Sequence, residues 1–195
     1  TWYDQSGNGN DAVQQVSGSQ PKIVDAGTLV VDGNSNPTLE FDSVDILTFT
    51  SFAMDADGFS VFSFCDSDND GGSFNELVGN SVGTVRLAPY RQLNAERATV
   101  RLNGEGNVFL NAGNIQANDK VSLHTFIMDG TNTKWYVDGN LRGTADSSVA
   151  IDTNFDEIGK GRIGVISEMI LYKDIDQSAN RAAIEANINN QYDSY

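Results

Sequence analysis

The sequence predicts an all-β domain: a two-sheet antiparallel jelly-roll sandwich with one short C-terminal helix. Three observations predict it. Short runs rich in Val, Ile, Phe, Leu and Thr recur along the 195 residues, many alternating with polar residues as half-buried strands do. Gly, Asn and Asp turn signals separate these runs, and helical periodicity is confined to one stretch near the C-terminus. Strands that follow one another without intervening helices make a sandwich, not a parallel α/β sheet.

In chain order the expected strands are Lys22–Val24, Thr28–Val31, Thr38–Phe41, Ile46–Phe49, Phe59–Cys65 and Val82–Leu87. Thr99–Leu102, Val108–Leu110, Ser122–Met128, Lys134–Val137 and Gly164–Tyr172 complete the set. Asp138-Gly139 lies between Trp135-Tyr136-Val137 and Leu141 and signals a type I′ hairpin, whose two central residues need positive φ. Asn103-Gly104 and Asp129-Gly130 carry the same signal. From Gln177 to about Asn190, Ala183, Ile184 and Ile188 form a narrow apolar stripe. Asp176 or Ser178 suits the helix cap, and the narrow stripe places the helix outside the sandwich. Residues 1–195 read as one domain, long enough to bury a core without staples.

Charge narrows the partners. Lys plus Arg is 12 and Asp plus Glu is 27, a net charge of −15. Such a surface repels phosphate backbones, so no nucleic-acid partner is expected. No run reaches the ~20 apolar residues of a membrane span, and no membrane insertion is expected. Cys65 is the only cysteine, so an intrachain disulfide is impossible. It ends the apolar run from Phe59, where a buried thiol behaves as a small hydrophobe. Thr1-Trp2-Tyr3-Asp4 has neither the basic end nor the apolar core of a signal peptide, and reads as an internal cut in a longer chain.

Several motifs read as structure. Gly79-Asn-Ser81-Val-Gly83 matches a nucleophile elbow but is followed by a strand-like run, and the single histidine, His124, lies in an alternating run. Gly159-Lys-Gly161-Arg-Ile-Gly164 and Gly7-Asn-Gly9-Asn-Asp-Ala12 match dinucleotide fingerprints without the strand and helix that such a site needs. Their glycines are expected to supply positive φ. Trp2, Tyr3, Trp135 and Tyr136 are expected as core or turn-packing residues.

Other residues are candidates for function. Asp66, Asp68 and Asp70 alternate through a Gly-rich loop that matches the first half of an EF-hand, with Glu76 one residue short of the bidentate position. Asp4, Asn8, Asn10 and Asp11 crowd the opening loop. Either set could hold calcium, the one cofactor expected, or serve as Asx turns. Arg86 and Tyr90 flank Leu87, while Arg101 and Asn103 flank Leu102, so these four could share a polar sheet face suited to a glycan. Glycosidase chemistry would need two carboxylates about 5 to 9.5 Å apart. Glu40 and Asp42 share a face, and Glu168 is expected to face the same way as Ile166 and Ile170, but none carries a recognisable partner motif.

Trp2-Tyr-Asp-Gln-Ser-Gly-Asn-Gly-Asn-Asp-Ala12 resembles the opening of LamG-like jelly-roll domains of the concanavalin A-like superfamily. Ser19–Val24, Thr38–Asp42, Trp135–Asn140 and Ile163–Tyr172 continue the resemblance over nearly the whole chain. This form of the motif is similar to that of bacteriophage tail and other structural proteins, and to the catalytic domain of arabinofuranosidase B enzymes. The resemblance implies a jelly roll used for adhesion or glycan binding, and calcium on loops like the opening one. The resulting expectation is a non-catalytic carbohydrate-binding or adhesion module of an extracellular or virion-surface protein. Its partners would be a glycan or cell-surface polysaccharide, other virion or surface proteins, or further copies of itself in a homo-oligomer. A purely structural virion domain and an arabinofuranosidase-like glycoside hydrolase are the alternatives.

Overall fold

A computed structural model of the chain describes residues 1–54, 58–66, 76–92, 95–102, 108–114, 121–146, 153–173 and 175–192. Its architecture grows from one strand, β5 (Phe59–Asp66), in which Phe59 to Cys65 are all buried. Alternation sends Phe59, Val61 and Cys65 into the core between two sheets. Phe62 and Phe64 go to the opposite face, into a second apolar cluster. A strand with both faces apolar needs a layer on each side.

The first sheet runs in the order β12 (Asn140–Asp146), β11 (Asn132–Val137), β10 (Val121–Met128), β5, β14 (Ile163–Tyr172), β3 (Leu39–Asp42). The second runs β4 (Leu47–Met54), β13 (Thr153–Ile158), β6 (Val78–Gly79), β7 (Arg86–Gln92), β8 (Ala95–Arg101), β9 (Val108–Asn114). Every pairing within the two sheets is antiparallel. A two-stranded ribbon, β1 (Val24–Asp25) with β2 (Thr28–Leu29), stands apart. The expected jelly-roll sandwich is therefore what forms. The inter-sheet core takes Phe59, Phe126 and Trp135 from the first sheet and Leu87, Val100 and Phe155 from the second. Phe59 and Phe155 meet edge to face across it at 5.7 Å.

Two polar residues are buried in or beside this core. His124 is fully buried and stacked on Trp135, whose indole N–H donates to Nδ1 at 3.3 Å. Burial, and then the nearby Arg162 guanidinium, lower its pKa to about 3, so it is uncharged at neutral pH. Arg162, itself fully buried, donates to the Asp66 carbonyl and to Asp66 Oδ1 at 3.0 Å. Burial raises the Cys65 thiol to about 11, which makes it the inert hydrophobe the sequence suggested.

The helix α1 (Arg181–Tyr192) supplies the layer over the outer face of β5. Ile188 is buried there with Phe62, Phe64, Leu123 and Ile127, while Ile184 and Tyr192 pack alongside. Glu185 is also buried, accepting from Thr125 Oγ1 at 2.8 Å and paired with Arg181. The Arg181 guanidinium in turn lies 4.1 Å from the centre of the Tyr136 ring. Ser60 Oγ fixes the approach to the helix, donating to the Ile175 carbonyl and accepting from the Gln177 amide. No helix among the described residues is long and apolar enough to cross a membrane.

The structure corrects several details. The helix begins at Arg181, not Gln177, because residues 178–180 form a turn closed by Asp176 and Gln177. Its inner face is Arg181, Ile184, Glu185, Ile188, and Ala183 is exposed. Val82 lies in a turn and is 76% exposed. Asn80 Oδ1 accepts from the Thr84 and Val85 amides there and delays β7 until Arg86. Asp138 and Gly139 both have positive φ and make the expected two-residue hairpin. Asp129-Gly130 instead belongs to a three-residue loop, with Asp129 Oδ1 accepting from the Thr131 and Asn132 amides. Asn103-Gly104 lies outside the described residues. A β-bulge between Ile166 and Glu168 changes the parity of β14. Ile166 stays opposite Cys65, but Glu168 pairs with Phe64 and Ile170 with Phe62, so Glu168 shares a face with Ile170 and not with Ile166. Tyr3 is 66% exposed and packs in neither apolar cluster, whereas Trp135 is fully buried.

If the helix is the outer layer that β5 requires, Ile188→Ala will destabilise the fold by about 2–5 kcal/mol in denaturant unfolding. A loss under about 0.5 kcal/mol, the size of a surface substitution, would contradict that packing.

Candidate functional site

β3 and β4 are the edge strands of the two sheets on one side of the sandwich, and bare edges invite aggregation. The N-terminal segment covers both. Val13 bridges Thr48 on β4, and Lys22 bridges Glu40 on β3. Before that crossing, the opening motif folds back on itself: the Trp2 amide and carbonyl pair with those of Ala12 at 2.7 and 2.9 Å. Inside this loop, Asp4 accepts from the Ser6 amide and hydroxyl and from the Asn10 amide and side chain. Asp11 Oδ1 accepts from the Asp4 amide. Gly7 and Gly9 take positive φ, as the turn reading of that motif requires. Hydrogen bonds from Ser6 first, then Asn10, hold the Asp4 carboxyl at about 2, below its ordinary 3.8.

The crossing segment leaves a cavity of about 450 Å³ between itself and the two edges, within the range of small-ligand sites. Its apolar surface includes Leu39, Leu47 and Ile166, with Pro21 and Pro37 alongside. Half-buried Trp2 lines it, together with Gln14, Gln20, Thr38 and Ser167. Gln14 is held through Nε2 on the Ile46 carbonyl and Oε1 on the Val16 amide. Gln20 Nε2 donates to the Gln14 carbonyl at 2.7 Å. Ser167 Oγ lies 3.1 Å from both Asp32 Oδ2 and Thr38 Oγ1. Ser167 is the residue at the β14 bulge, so the bulge is what brings this hydroxyl to the cavity.

Two of the four residues expected to bind a glycan, Arg86 and Arg101, lie elsewhere, on the outer face of the second sheet. Arg86 and Arg101 are direct cross-strand partners there, opposite the core residues Leu87 and Val100. Both guanidinium groups already serve the protein. Arg86 Nε donates to Glu76 at 2.5 Å, and Arg101 donates to the Gly83 carbonyl at 2.8 Å. Ala88 and Thr99, the next opposed pair on this face, are fully buried, so the patch is not an open groove at that point. Tyr90 holds its register position opposite Arg97, its side chain lying outside the described residues, as does Asn103 altogether.

Asp66 is engaged by Arg162, and Asp68 and Asp70 fall outside the described residues. Asp4 and Asp11 direct oxygens at backbone amides, and Asn8 and Asn10 are exposed. No group of three or more His, Cys, Asp or Glu suited to a metal occurs among the described residues.

On the outer face of the second sheet, sequence reasoning missed Glu157 and read Glu76 only as a misplaced EF-hand ligand. Glu157 pairs with Lys160 at 2.9 Å, and buried Glu76 has its carboxyl raised by desolvation despite Arg86. Ser81, the supposed elbow nucleophile, is exposed and donates to Asp156 at 2.9 Å, in a turn that leads into a strand.

No family model matches the chain, and no curated protein matches it. Solved structures do match. The binding domain of a paraclostridial mosquitocidal protein superposes with TM-score 0.61 at 12% identity, over 97% of this chain and 49% of that one. Domain 4 of AbnA, an extracellular arabinanase from Geobacillus stearothermophilus solved with arabinotriose, gives TM-score 0.58 at 12% identity, over 87% and 85% of the two chains. A pentraxin from Limulus polyphemus, solved as a heptamer, gives 0.56 at 11% identity, over 68% and 72%. The chain thus spans about half the length of the toxin domain. At these identities the likeness establishes the fold alone: an antiparallel jelly-roll sandwich.

Because the folded Asp4 carboxyl is lowered, its stabilisation of the opening loop is present above pH 3.8 and lost as pH falls through about 2. The Ser6 and Asn10 amide resonances will therefore titrate near pH 2, whereas a midpoint near 4 would contradict the loop geometry. Melting curves in excess calcium and in chelator test the calcium expectation. A rise with calcium that Asp4→Asn removes establishes it, and superimposable curves reject it.

Proposed function

We propose that this domain is a glycan-binding module of an extracellular or virion-surface protein, and that the cavity beneath the N-terminal crossing segment is its sugar site. The observation that carries the reading is the composition of that cavity. Sugars present C–H faces and hydroxyl edges, and the lining joins an indole, four aliphatic side chains, two prolines, two amides and three hydroxyls. The site is built on rigid parts: Trp2 by its pairing with Ala12, Gln14 by two backbone bonds, Ser167 by the bulge. A groove of fixed polar groups costs little reorganisation on binding.

The architectural likeness to domain 4 of AbnA, solved with arabinotriose, supports the reading at the level of fold. So does the likeness to a structure of botulinum neurotoxin type C, whose cell entry depends on interaction with two ganglioside molecules (TM-score 0.58, 14% identity, over 100% of this chain and 48% of that one). Catalysis is not part of this proposal. Glu76 and Glu157 are each committed to a cation, Arg86 and Lys160, and neither lines the cavity.

A glycan array probed with the purified chain tests the proposal. Binding is expected to fall at least tenfold in Trp2→Ala and in Gln20→Ala, with the melting temperature of Gln20→Ala unchanged. Binding that survives both substitutions would move the site elsewhere, and an array without hits would overturn the proposal.

A further inference from the structure

Trp2 lines the cavity but belongs to neither sheet. Its amide and carbonyl both pair with Ala12, which is buried in the inter-sheet core. Val13, the next residue, bridges Thr48 at the β4 edge. The backbone of Trp2 is therefore tied to the fold through Ala12, across the loop of residues 3–11. None of those residues lines the cavity, and none joins either apolar cluster. Ordering them costs conformational entropy that core packing does not offset, so the loop has to supply its own bonds.

Asp4 supplies most of them. Its Oδ1 accepts from the Ser6 amide at 2.7 Å. Its Oδ2 accepts from the Ser6 hydroxyl at 2.8 Å, the Asn10 amide at 2.9 Å and Asn10 Nδ2 at 3.3 Å. The Asp4 amide donates to Asp11 Oδ1 at 2.9 Å, a second cross-loop tie just inside the Trp2–Ala12 pair. These bonds, those from Ser6 first, hold the Asp4 carboxyl at about 2, so it is ionised at neutral pH and accepts at both oxygens. An amide of the same shape accepts at one end and donates at the other. Whichever way it turned, its NH2 group would face the N–H of Ser6 or that of Asn10.

Resting on the sugar-site reading above, we infer that Asp4 is a positioning residue of that site: it closes the loop 3–11 and so holds the Trp2 indole against the sugar, without touching the sugar itself. The opening motif is thereby part of the binding machinery, acting from outside the cavity.

The test compares the native chain with Asp4→Asn, Ser6→Ala and Trp2→Ala, all in chelator so that a metal on Asp4 cannot account for the outcome. Binding is read on the glycan array, and the placing of Trp2 by acrylamide quenching of fluorescence. The chain has two tryptophans and Trp135 is fully buried, so the quenchable emission is that of Trp2. Asp4→Asn is expected to weaken array binding about tenfold, with quenching raised. The Trp2 indole resonance shifts, while the Trp135 indole resonance and the main unfolding transition stay in place. Ser6→Ala removes the hydroxyl donor and keeps the amide, so it moves both readouts the same way and less. It carries the test where Asp4→Asn fails to fold. Unchanged binding and quenching in Asp4→Asn, with binding lost in Trp2→Ala, would overturn the positioning role and leave the sugar site standing. Weakened binding with unchanged Trp2 quenching and indole resonance would also overturn it, because Asp4 would then act by another route. Binding that survives Trp2→Ala would overturn the sugar-site reading and this inference with it.

Discussion

The structure depends on the double burial of β5. A strand apolar on both faces cannot sit in a two-layer sandwich with one face in water, so a third layer is obligatory. The helix Arg181–Tyr192 supplies it, lying across the outer face of β5 and β10. That demand also shapes β14, the strand beside β5. Ile166 must reach the inter-sheet core while Ile170 and Tyr172 must reach the helix layer, and the bulge at Ser167 is how one strand serves both.

The bulge links packing to function. It exposes Ser167 beside Thr38 and Asp32, and so adds a fixed hydroxyl to a region otherwise made of core aliphatics. The second contribution comes from the edges. Covering β3 and β4 with one crossing segment satisfies their backbone groups at Glu40 and Thr48, and the span between these two anchor points cannot also fill the space beneath it. The cavity is therefore a by-product of edge protection, lined by whatever side chains the crossing carries. Trp2, Gln14 and Gln20 make it polar and aromatic instead of merely empty.

The fold was legible in the sequence where one force acted alone. The unbroken apolar run of β5, the alternation of β11 and the Asp138-Gly139 turn each read directly. Strands β12 and β13 did not: Asn140–Asp146 and Thr153–Ile158 carry Asn, Asp, Glu, Arg and Gly at positions where apolar residues would signal a strand. The helix face was misjudged because Glu185, charged and buried, belongs to it and Ala183 does not. Glu168 was grouped with Ile166 as well as with Ile170, because a bulge leaves no mark in the period-2 pattern. The cavity was invisible for a different reason. Residues 2, 14, 20, 38 and 167 meet only through tertiary structure, and uncharged amides and hydroxyls carry no motif. Arg86 and Arg101 were legible as neighbours, but their engagement with Glu76 and the Gly83 carbonyl was not.

The central claim is that the ligand sits under the crossing segment and not on the outer face of the second sheet. Titrating the isotope-labelled chain with the tightest-binding oligosaccharide, and following its nitrogen–proton resonances, separates the two directly. The account predicts that the Trp2 indole and the Gln14 and Gln20 side-chain amides shift first and saturate together, with the Arg86 and Arg101 guanidinium signals unmoved. Largest shifts at Arg86 and Arg101, with Trp2 and Gln20 unchanged, would contradict it.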